Sequence, residues 1–231
     1  ITIFVFLDQL IKILVRQHLN AYSYIEVIPN FLNADHLPPE NCQELRREYA
    51  AEDERIIIHM SNFRPVKRIM DIVEVFAKVQ LAVPSKLILL GDGPERSRAE
   101  QKCRELGISE HVTFVGNLKQ PLELLGIGDL FMLPSESESF GLAALEAMAA
   151  GVPVISTNTG GLPEVNRHGV TGMMSDVGDI DDMVKNCVYL LSDSKRLSKF
   201  KQQARKRAED FTLEKILPQY EKLYQTVLER V

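Results

Sequence analysis

The strongest constraint on the fold is a regular alternation of short apolar runs with longer amphipathic segments, which begins at Arg55. Near-continuous apolar strands that alternate with helices indicate a parallel sheet covered by helices on both faces. The sequence therefore predicts the α/β class, with a doubly wound, Rossmann-like parallel sheet. The predicted strands are Ile56–His59, Lys86–Leu90, Val112–Val115, Leu130–Leu133, Val152–Ser156 and Gly172–Met174.

Two loops of this predicted sheet are rich in polar side chains. In the common strand order 3-2-1-4-5-6, the ligand crevice opens beyond the first and fourth strands. The loops that follow those strands are Ser61–Lys67 and Pro134–Gly141, so we expect both to line one crevice. The predicted helices are Ile69–Leu81, Pro94–Leu106, Pro121–Leu125, Phe140–Ala150, Pro163–Arg167, Asp181–Leu191 and Lys195–Asp210.

The chain is expected to have three parts. Residues 1–54 would be the remnant of a preceding lobe followed by a linker, with a helix at Asp8–Leu19 and a strand within Tyr24–Asn33. Residues 55–210 complete the sheet and its helices, and residues 211–231 form a final helix that packs toward the preceding lobe. Because the chain begins at Ile1 and not at Met, we expect it to be a segment of a longer protein.

The first and the last predicted helices each carry an apolar stripe at helical spacing. The sheet core is expected to be complete without them, and large exposed apolar patches tend to be covered. We therefore expect the stripes to cover each other or to join copies into a homo-oligomer, with the alternative that both helices extend the core. The stripes consist of Ile3, Leu7, Leu10 and Leu14, and of Ile216, Tyr220, Leu223 and Val227.

Charge and cysteine content exclude several classes of protein. A net charge of −5 argues against nucleic acid as a partner, because binding to phosphates needs a basic surface. The three cysteines are widely spaced, which suits a reducing cytoplasm and neither a disulfide framework nor a zinc site. The apolar start Ile1–Leu7 is too short to span a membrane and lacks the basic region of a signal peptide.

Two carboxylates flank the start of the predicted helix Phe140–Ala150. Glu146 lies within its apolar wall, where a carboxylate needs a polar partner. Glu138 precedes it by eight residues, which corresponds to roughly 10–12 Å along the axis. An acid/base pair would need about 5–9.5 Å. The spacing suits one long ligand held at both ends, with an anionic centre over the helix N-terminus formed by Phe140, Gly141 and Leu142. A sugar nucleotide has this shape.

Basic residues and paired glycines surround the same crevice. Arg64 and Lys67 either clamp a diphosphate, with Asn62 nearby, or are simply solvated. Gly160 and Gly161 form either a backbone cradle for phosphate oxygens or a tight turn. The sequence Gly91-Asp92-Gly93 lacks the third glycine of a dinucleotide motif, so it is interpreted as a turn that walls a base pocket.

Metal ligation receives little support from the sequence. Asp179-Ile-Asp181 matches the Asp-x-Asp pattern of metal-dependent sugar transfer, but it also opens a helix, and capping is the favoured interpretation. The five histidines show no metal-ligand spacing, and only His59 falls at the predicted mouth of the crevice. We therefore expect no metal and no other cofactor.

Several segments together resemble the donor-binding half of the family 4 retaining glycosyltransferases, over about Ile56–Leu191. Glu-x7-Glu, here Glu138 and Glu146, is the hallmark of that family. The segments are Ser135–Glu138, Ser139–Leu142, Glu146–Met148, Gly151–Ile155 and Gly160–Glu164. Three motifs look most like the members that act in bacillithiol biosynthesis, namely Ser61–Arg68, Gly91–Glu95 and Glu138–Gly141.

The resemblance implies a two-lobed GT-B architecture with this chain as the C-terminal, donor-binding lobe. It implies metal-independent, retaining transfer of N-acetylglucosamine from UDP-N-acetylglucosamine to a small hydroxy acid such as L-malate. The departing phosphate would take the acceptor's proton. The N-terminal lobe, which supplies acceptor contacts, would be missing, so the chain alone is expected to bind the donor without transferring the sugar. The alternatives are a non-catalytic nucleotide-sugar-binding module and a sugar-nucleotide epimerase.

The resemblance also implies roles for individual residues. Glu138 would bind the donor-sugar hydroxyls and Glu146 the ribose, while Lys67 and Arg64 would hold the diphosphate. Many family members carry Gly-Arg where this chain has Ser61-Asn62, so Arg64 would replace the usual arginine. The catalytic candidates are Glu138, Lys67 and Arg64, and the substrate-binding candidates are Asn62, Gly91, Gly93, Ser139, Phe140, Gly141, Leu142, Glu146, Gly160 and Gly161.

Overall fold

The computed structural model describes residues 28–32, 43–118 and 121–228 of the chain, with side chains described as far as residue 225. Helices and strands alternate through most of this part. The helices are α1 (Gln43–Tyr49), α2 (Ile69–Gln80), α3 (Arg96–Glu105), α4 (Leu122–Gly126), α5 (Leu142–Ala149), α6 (Leu162–Val165), α7 (Ile180–Leu191), α8 (Ser194–Ala208) and α9 (Leu213–Leu228). The strands are β1 (Arg55–Met60), β2 (Ser85–Leu90), β3 (Val112–Gly116), β4 (Leu130–Leu133), β5 (Val154–Thr157) and β6 (Gly172–Ser175).

The six strands form one parallel sheet in the order β3-β2-β1-β4-β5-β6, as predicted. Alternate residues of a strand point to opposite faces, which separates the apolar core into two layers. Ile56 and Ile58 of β1 belong to one layer, and Ile57 belongs to the other. This explains why the strands are apolar at almost every position and confirms the predicted doubly wound fold.

The predicted boundaries differ from the structure by at most two residues, and the difference that bears on the site is at the glutamate-bearing helix. α5 begins at Leu142 and not at Phe140, because Gly141 is its N-cap and has a φ of +94°, which a residue with a side chain rarely adopts. Tyr24–Asn33 is predicted to be a strand that runs into a linker; residues 24–27 of it lie outside the described residues, and within residues 28–32 Leu32 makes a single bridge to Thr212. The helix predicted at Asp8–Leu19 lies outside the described residues.

The core extends beyond the predicted limits at both ends. Leu32 and Phe211 are buried in the same cluster as β1 and β4, and the amide of Leu32 donates to the carbonyl of Phe211 at 2.8 Å. Ile216 of α9 is also buried, whereas Leu223 of the same predicted stripe is exposed. The first part of α9 therefore extends the core, and the predicted stripe is divided between buried and exposed positions.

A buried carboxylate ties these outer elements to the sheet. Asp129, at the amino end of β4, accepts from the backbone amide of Ile56 at 3.0 Å. It also forms ion pairs with Arg46 of α1 at 2.9 Å and with Lys201 of α8 at 2.8 Å. Burial raises its pKa, but the two cations and the hydrogen bonds outweigh burial, so the pKa lies below its ordinary value.

A helix that crosses a bilayer needs about 20 consecutive, mostly apolar residues. Among the described residues, no helix is both long enough and apolar enough to cross a bilayer.

Candidate functional site

Four loops at the carboxyl edge of the sheet are joined by hydrogen bonds. They are the β1 loop (residues 61–68), the β2 loop (91–95), the β4 loop (134–141) and the β5 loop (158–161). The amide of Glu136 donates to the carbonyl of Val66 at 2.9 Å, which connects the β1 and β4 loops. The amide of Gly161 donates to the carbonyl of Glu138 at 2.8 Å, which connects the β4 and β5 loops. The predicted crevice loops therefore lie together.

Two of the candidate residues, Lys67 and Glu138, form an ion pair in this crevice. The ammonium group of Lys67 donates to Oε2 of Glu138 at 2.6 Å. The Lys67 side chain is 20% exposed and that of Glu138 is 15% exposed, so water screens the pair only partly. The hydroxyl of Ser135 donates to the same oxygen at 3.4 Å. A cation suited to phosphate and a carboxylate suited to hydroxyl groups are thus held side by side.

Arg64 and Asn62 are exposed in the same loop, one on each side of the buried Phe63. Neither side chain forms a hydrogen bond or an ion pair with any residue that the structure describes. Arg64 directly precedes the short 3₁₀ turn Pro65–Lys67, which brings it close in sequence to the ion pair. Both side chains are free to contact a ligand that enters the crevice.

The N-terminus of α5 faces the crevice with unused amide groups. No side chain in the described part of the chain caps this end, so Leu142, Ala143 and Ala144 carry the amides that lack intrahelical acceptors. Phe140 lies outside the helix, buried against Phe211 with 5.7 Å between ring centroids. The open helix end is a suitable site for an anion. It begins two residues later than the sequence predicted.

Glu146 lies one turn further along α5 than this open end. Its apolar surroundings predicted full burial, but in the structure it is only partly buried. Leu142 and Ser139, which precede it, are exposed. The proposed contacts of Glu146 and Ser139 with a ligand stay predictions.

The glycine candidates have a clear packing role. A Cβ atom at Gly160 would lie 1.9 Å from the carbonyl oxygen of Glu138, and one at Gly161 would lie 2.2 Å from that of Ser139. The Gly161 amide already donates a hydrogen bond to the carbonyl oxygen of Glu138, so it is not available to bind phosphate. The glycines therefore let the β5 loop press against the loop that carries Glu138, which supports the tight-turn alternative.

Gly91 and Gly93 act in the same way on the other side of the crevice. A Cβ atom at Gly91 would lie 1.8 Å from the carbonyl oxygen of Ser61, and one at Gly93 would lie 2.2 Å from that of Asn62. The β2 loop thus supports the back of the β1 loop. Its predicted role as a wall of a base pocket stays a prediction.

His59 is completely buried beneath the β1 loop, which sequence reasoning did not predict. Its Nδ1 lies 2.8 Å from the carbonyl oxygen of Met132, and its Nε2 lies 2.7 Å from the hydroxyl of Ser61. Thr157 was also missed, although its hydroxyl donates to the carbonyl of Ser135 at 2.6 Å and fixes the start of the β4 loop. Polar residues at the ends of apolar strands were the available signal for both.

The aspartates that suggested a metal site serve other purposes. Asp179 is the N-cap of α7, and its carboxylate accepts from the amide of Asp182 at 3.0 Å, as the capping interpretation predicted. Asp181 pairs with Lys78 at 2.6 Å on the surface. Within residues 28–32, 43–118 and 121–228, no three His, Cys, Asp or Glu side chains are grouped as a metal site would need.

Comparison with known proteins gives a family and relatives. A family model described as "Glycosyl transferases group 1" matches residues 42–207. An N-acetyl-alpha-D-glucosaminyl L-malate synthase from Bacillus anthracis is 43% identical over 206 residues, which cover 88% of this chain and 54% of that relative. The chain spans about half the length of the curated relatives that it matches.

Solved structures give the same fold. A sucrose-phosphate synthase from Thermosynechococcus elongatus superposes with a TM-score of 0.83 at 25% identity, over 95% of this chain and 57% of that one. The Anabaena protein HepE, solved in complex with UDP and glucose, superposes with a TM-score of 0.80 at 23% identity, over 87% of this chain and 57% of that one. These likenesses confirm the predicted Rossmann-like architecture.

Proposed function

This chain belongs to the glycosyl transferases group 1 family, and we propose that it is the donor-binding lobe of a retaining glycosyltransferase of the GT-B fold. The proposed donor is UDP-N-acetylglucosamine and the proposed acceptor is a small hydroxy acid such as L-malate. The name of the Bacillus anthracis relative supports the N-acetylglucosaminyl group of the donor and L-malate as the acceptor. Because the chain spans about half of that relative, we propose that acceptor contacts come from a second lobe.

The observation that carries the proposal is the Lys67–Glu138 ion pair beside the open N-terminus of α5. A sugar nucleotide has a diphosphate with hydroxyl-bearing groups on both sides. Lys67 and the amides at the start of α5 suit the diphosphate, and Glu138 suits the hydroxyls of the sugar. Glu146, one turn further along the helix, would accept from the ribose hydroxyls. Arg64 is exposed at the entrance and would add a second positive charge.

The same groups suggest how transfer would be assisted. When the bond between the sugar and the diphosphate breaks, negative charge develops on the departing phosphate. Lys67 and the α5 amides would stabilise that charge more strongly than the charge of the bound donor, and this difference lowers the barrier. Glu138 would hold the sugar so that the acceptor approaches on the side of the departing phosphate. That phosphate would take the acceptor's proton, so no second carboxylate is required.

A panel of nucleotide sugars tests the donor assignment. UDP-N-acetylglucosamine, UDP-glucose, GDP-mannose and UMP are added to the chain in turn, and the melting temperature is measured. A ligand at about one hundred times its Kd stabilises the folded state by about 2.7 kcal/mol, which raises the melting temperature by roughly 5–10 °C in a chain of this size. We expect the largest shift with UDP-N-acetylglucosamine. A larger shift with GDP-mannose would overturn the uridine assignment, and no shift with any compound would overturn donor binding.

The non-catalytic alternative makes a different prediction in a transfer assay. A module that only binds nucleotide sugars would stay inactive when joined to the N-terminal lobe of the Bacillus anthracis relative. The proposed enzyme would release UDP from UDP-N-acetylglucosamine in that chimera when L-malate is added. A chimera that binds the donor and releases no UDP would favour the binding module.

A further inference from the structure

A chain of three hydrogen bonds links the interior of the sheet to the β1 loop. It starts at the carbonyl oxygen of Met132 in β4, which lies 2.8 Å from Nδ1 of His59. Because a carbonyl oxygen only accepts, Nδ1 must carry a proton. The tautomer of His59 is therefore set by the neighbouring strand.

The second link depends on the charge of the ring. Burial lowers the pKa of His59 to about 4; the bond to Met132 opposes this change, and the positive charge of Lys67 adds to it. The ring is thus neutral at pH 7, and Nε2 is left as an acceptor. The Ser61 hydroxyl, 2.7 Å away, must donate its proton to Nε2. With that proton used, its oxygen accepts from the amide of Phe63 at 3.3 Å.

The third link reaches a strained residue. Phe63 has a φ of +35° although it is not glycine, and its side chain is completely buried. Such conformations persist only where the surroundings hold them, and they gather at ligand-binding sites. Its carbonyl accepts from the amide of Glu95 at 3.0 Å, so both backbone groups of Phe63 are bonded. This turn directs the following residues toward the crevice, where Lys67 meets Glu138.

We infer that His59 is a positioning residue that acts through Ser61 to hold the Phe63 turn, and thereby places Lys67 for the donor diphosphate. This inference rests on the proposed function for its consequence, but the hydrogen-bond chain itself does not. His59 touches no ligand in this scheme. The His59 ring packs against the aromatic rings of Phe63 and Phe131, whose centroids lie 6.1 and 6.3 Å from its own.

The first test examines the hydrogen-bond chain without any donor. Nitrogen-15 NMR of the histidine side chains, with the His59 signals identified by their loss in His59→Gln, reports which ring nitrogen carries the proton. We expect the Nδ1-protonated neutral form at pH 7. Hydrogen exchange of the Phe63 amide should be about fivefold faster in Ser61→Ala, because one neutral hydrogen bond is lost. The Nε2-protonated form, a charged ring or an unchanged exchange rate would overturn the inference.

The second test measures the consequence for the donor. Ser61→Ala and His59→Phe should each weaken UDP binding by about fivefold, and the double variant should bind as Ser61→Ala does, because His59 acts through Ser61. His59→Gln, whose amide still donates and accepts, should restore part of the affinity, and it replaces His59→Phe if that variant does not fold. Ser198→Ala, on the exposed surface of α8, is the matched control.

The two tests separate the inference from the proposed function. Multiplied losses in the double variant would show independent roles and would overturn the positioning role. Absence of UDP binding in the unmodified chain would overturn the proposed function. In that case the NMR and exchange measurements still decide whether the hydrogen-bond chain exists.

Discussion

The ammonium nitrogen of Lys67 lies 2.6 Å from Oε2 of Glu138, although the two residues are 71 positions apart in the chain. The pair is formed by the loops that follow β1 and β4. The strand order reverses between these two neighbouring strands, which makes this the topological switch point of the sheet. In the proposed site, a diphosphate that enters the crevice would compete with Glu138 for Lys67. An intact sugar nucleotide would compensate for this competition, because its sugar hydroxyls would donate to the Glu138 carboxylate once Lys67 binds the diphosphate.

This competition predicts an unusual effect of Glu138→Gln on bare UDP. The substitution removes the negative charge that holds Lys67, so UDP should bind about fivefold more tightly, as expected for the loss of a partly exposed ion pair. UDP-N-acetylglucosamine should lose a charge-assisted hydrogen bond. The preference for the intact donor over UDP should therefore fall by roughly tenfold or more. Calorimetric titration of each variant with both ligands measures the ratio.

Glu136→Gln serves as the control, because Glu136 lies in the same loop with an exposed side chain. It should leave the affinity of both ligands unchanged. Equal losses of UDP and UDP-N-acetylglucosamine in Glu138→Gln would contradict the proposed competition.

Glu146→Gln should show the opposite pattern. If Glu146 accepts from the ribose, both UDP and UDP-N-acetylglucosamine lose the same contact. Each affinity should fall by roughly tenfold or more, since hydrogen bonds to a charged acceptor contribute about 1.5–3 kcal/mol. The exposed Glu123 of α4 provides the matched control, Glu123→Gln. A loss confined to the intact donor would place Glu146 at the sugar and not at the ribose.

The buried His59 predicts a pH dependence of stability. Its pKa is about 4 in the folded state and 6.5 in the unfolded state, so the unfolded chain binds more protons between these values. Stability is fully present above pH 6.5 and is lost as the pH falls toward 4, by about 3 kcal/mol in total. Urea unfolding of the unmodified chain and of His59→Gln between pH 4.5 and 7.5 isolates this contribution. Parallel pH profiles for the two proteins would contradict it.

Asp129→Asn should destabilise the chain without affecting UDP binding. It removes the charge shared by Arg46 and Lys201 at the amino edge of the sheet, opposite the crevice. We expect a loss of about 2 kcal/mol, below the 3–5 kcal/mol of fully buried pairs, because both cations are partly exposed. The pKa of Asp129 lies below its ordinary value, so its contribution is present above pH 4 and is lost at lower pH. An unchanged urea midpoint would contradict the role of this network.

The sheet and the meeting of the two charged loops were predictable because they depend on local patterns. Apolar runs mark the strands, and the strand order then brings Lys67 and Glu138 to one edge. The partners of Asp129 were not predictable, since they lie 72, 73 and 83 positions away and carry no shared motif. His59 was predicted to lie at the crevice mouth, but its burial depends on Phe63 of the following loop and on Phe131 of the neighbouring strand β4.

Gly160 and Gly161 were singled out as a possible phosphate cradle, whereas the structure shows that they allow close packing of two loops. Paired glycines before a helix are common both in phosphate cradles and in tight turns, and the sequence alone does not separate these uses. The decisive fact is the approach of the Glu138 carbonyl to Gly160, which depends on two separate strands. The role of a glycine that contacts a distant backbone segment requires the tertiary structure.

The most direct test of the central claim is a calorimetric titration of this chain with UDP-N-acetylglucosamine in the presence of EDTA. The proposed site uses Lys67, Arg64 and the open end of α5 for the diphosphate, so binding should occur at one site per chain and should not change when metal is removed. Heat that appears only after Mg²⁺ or Mn²⁺ is added would restore the metal interpretation of Asp179 and Asp181. Absence of binding with and without metal would contradict the assignment of this chain as a donor-binding lobe.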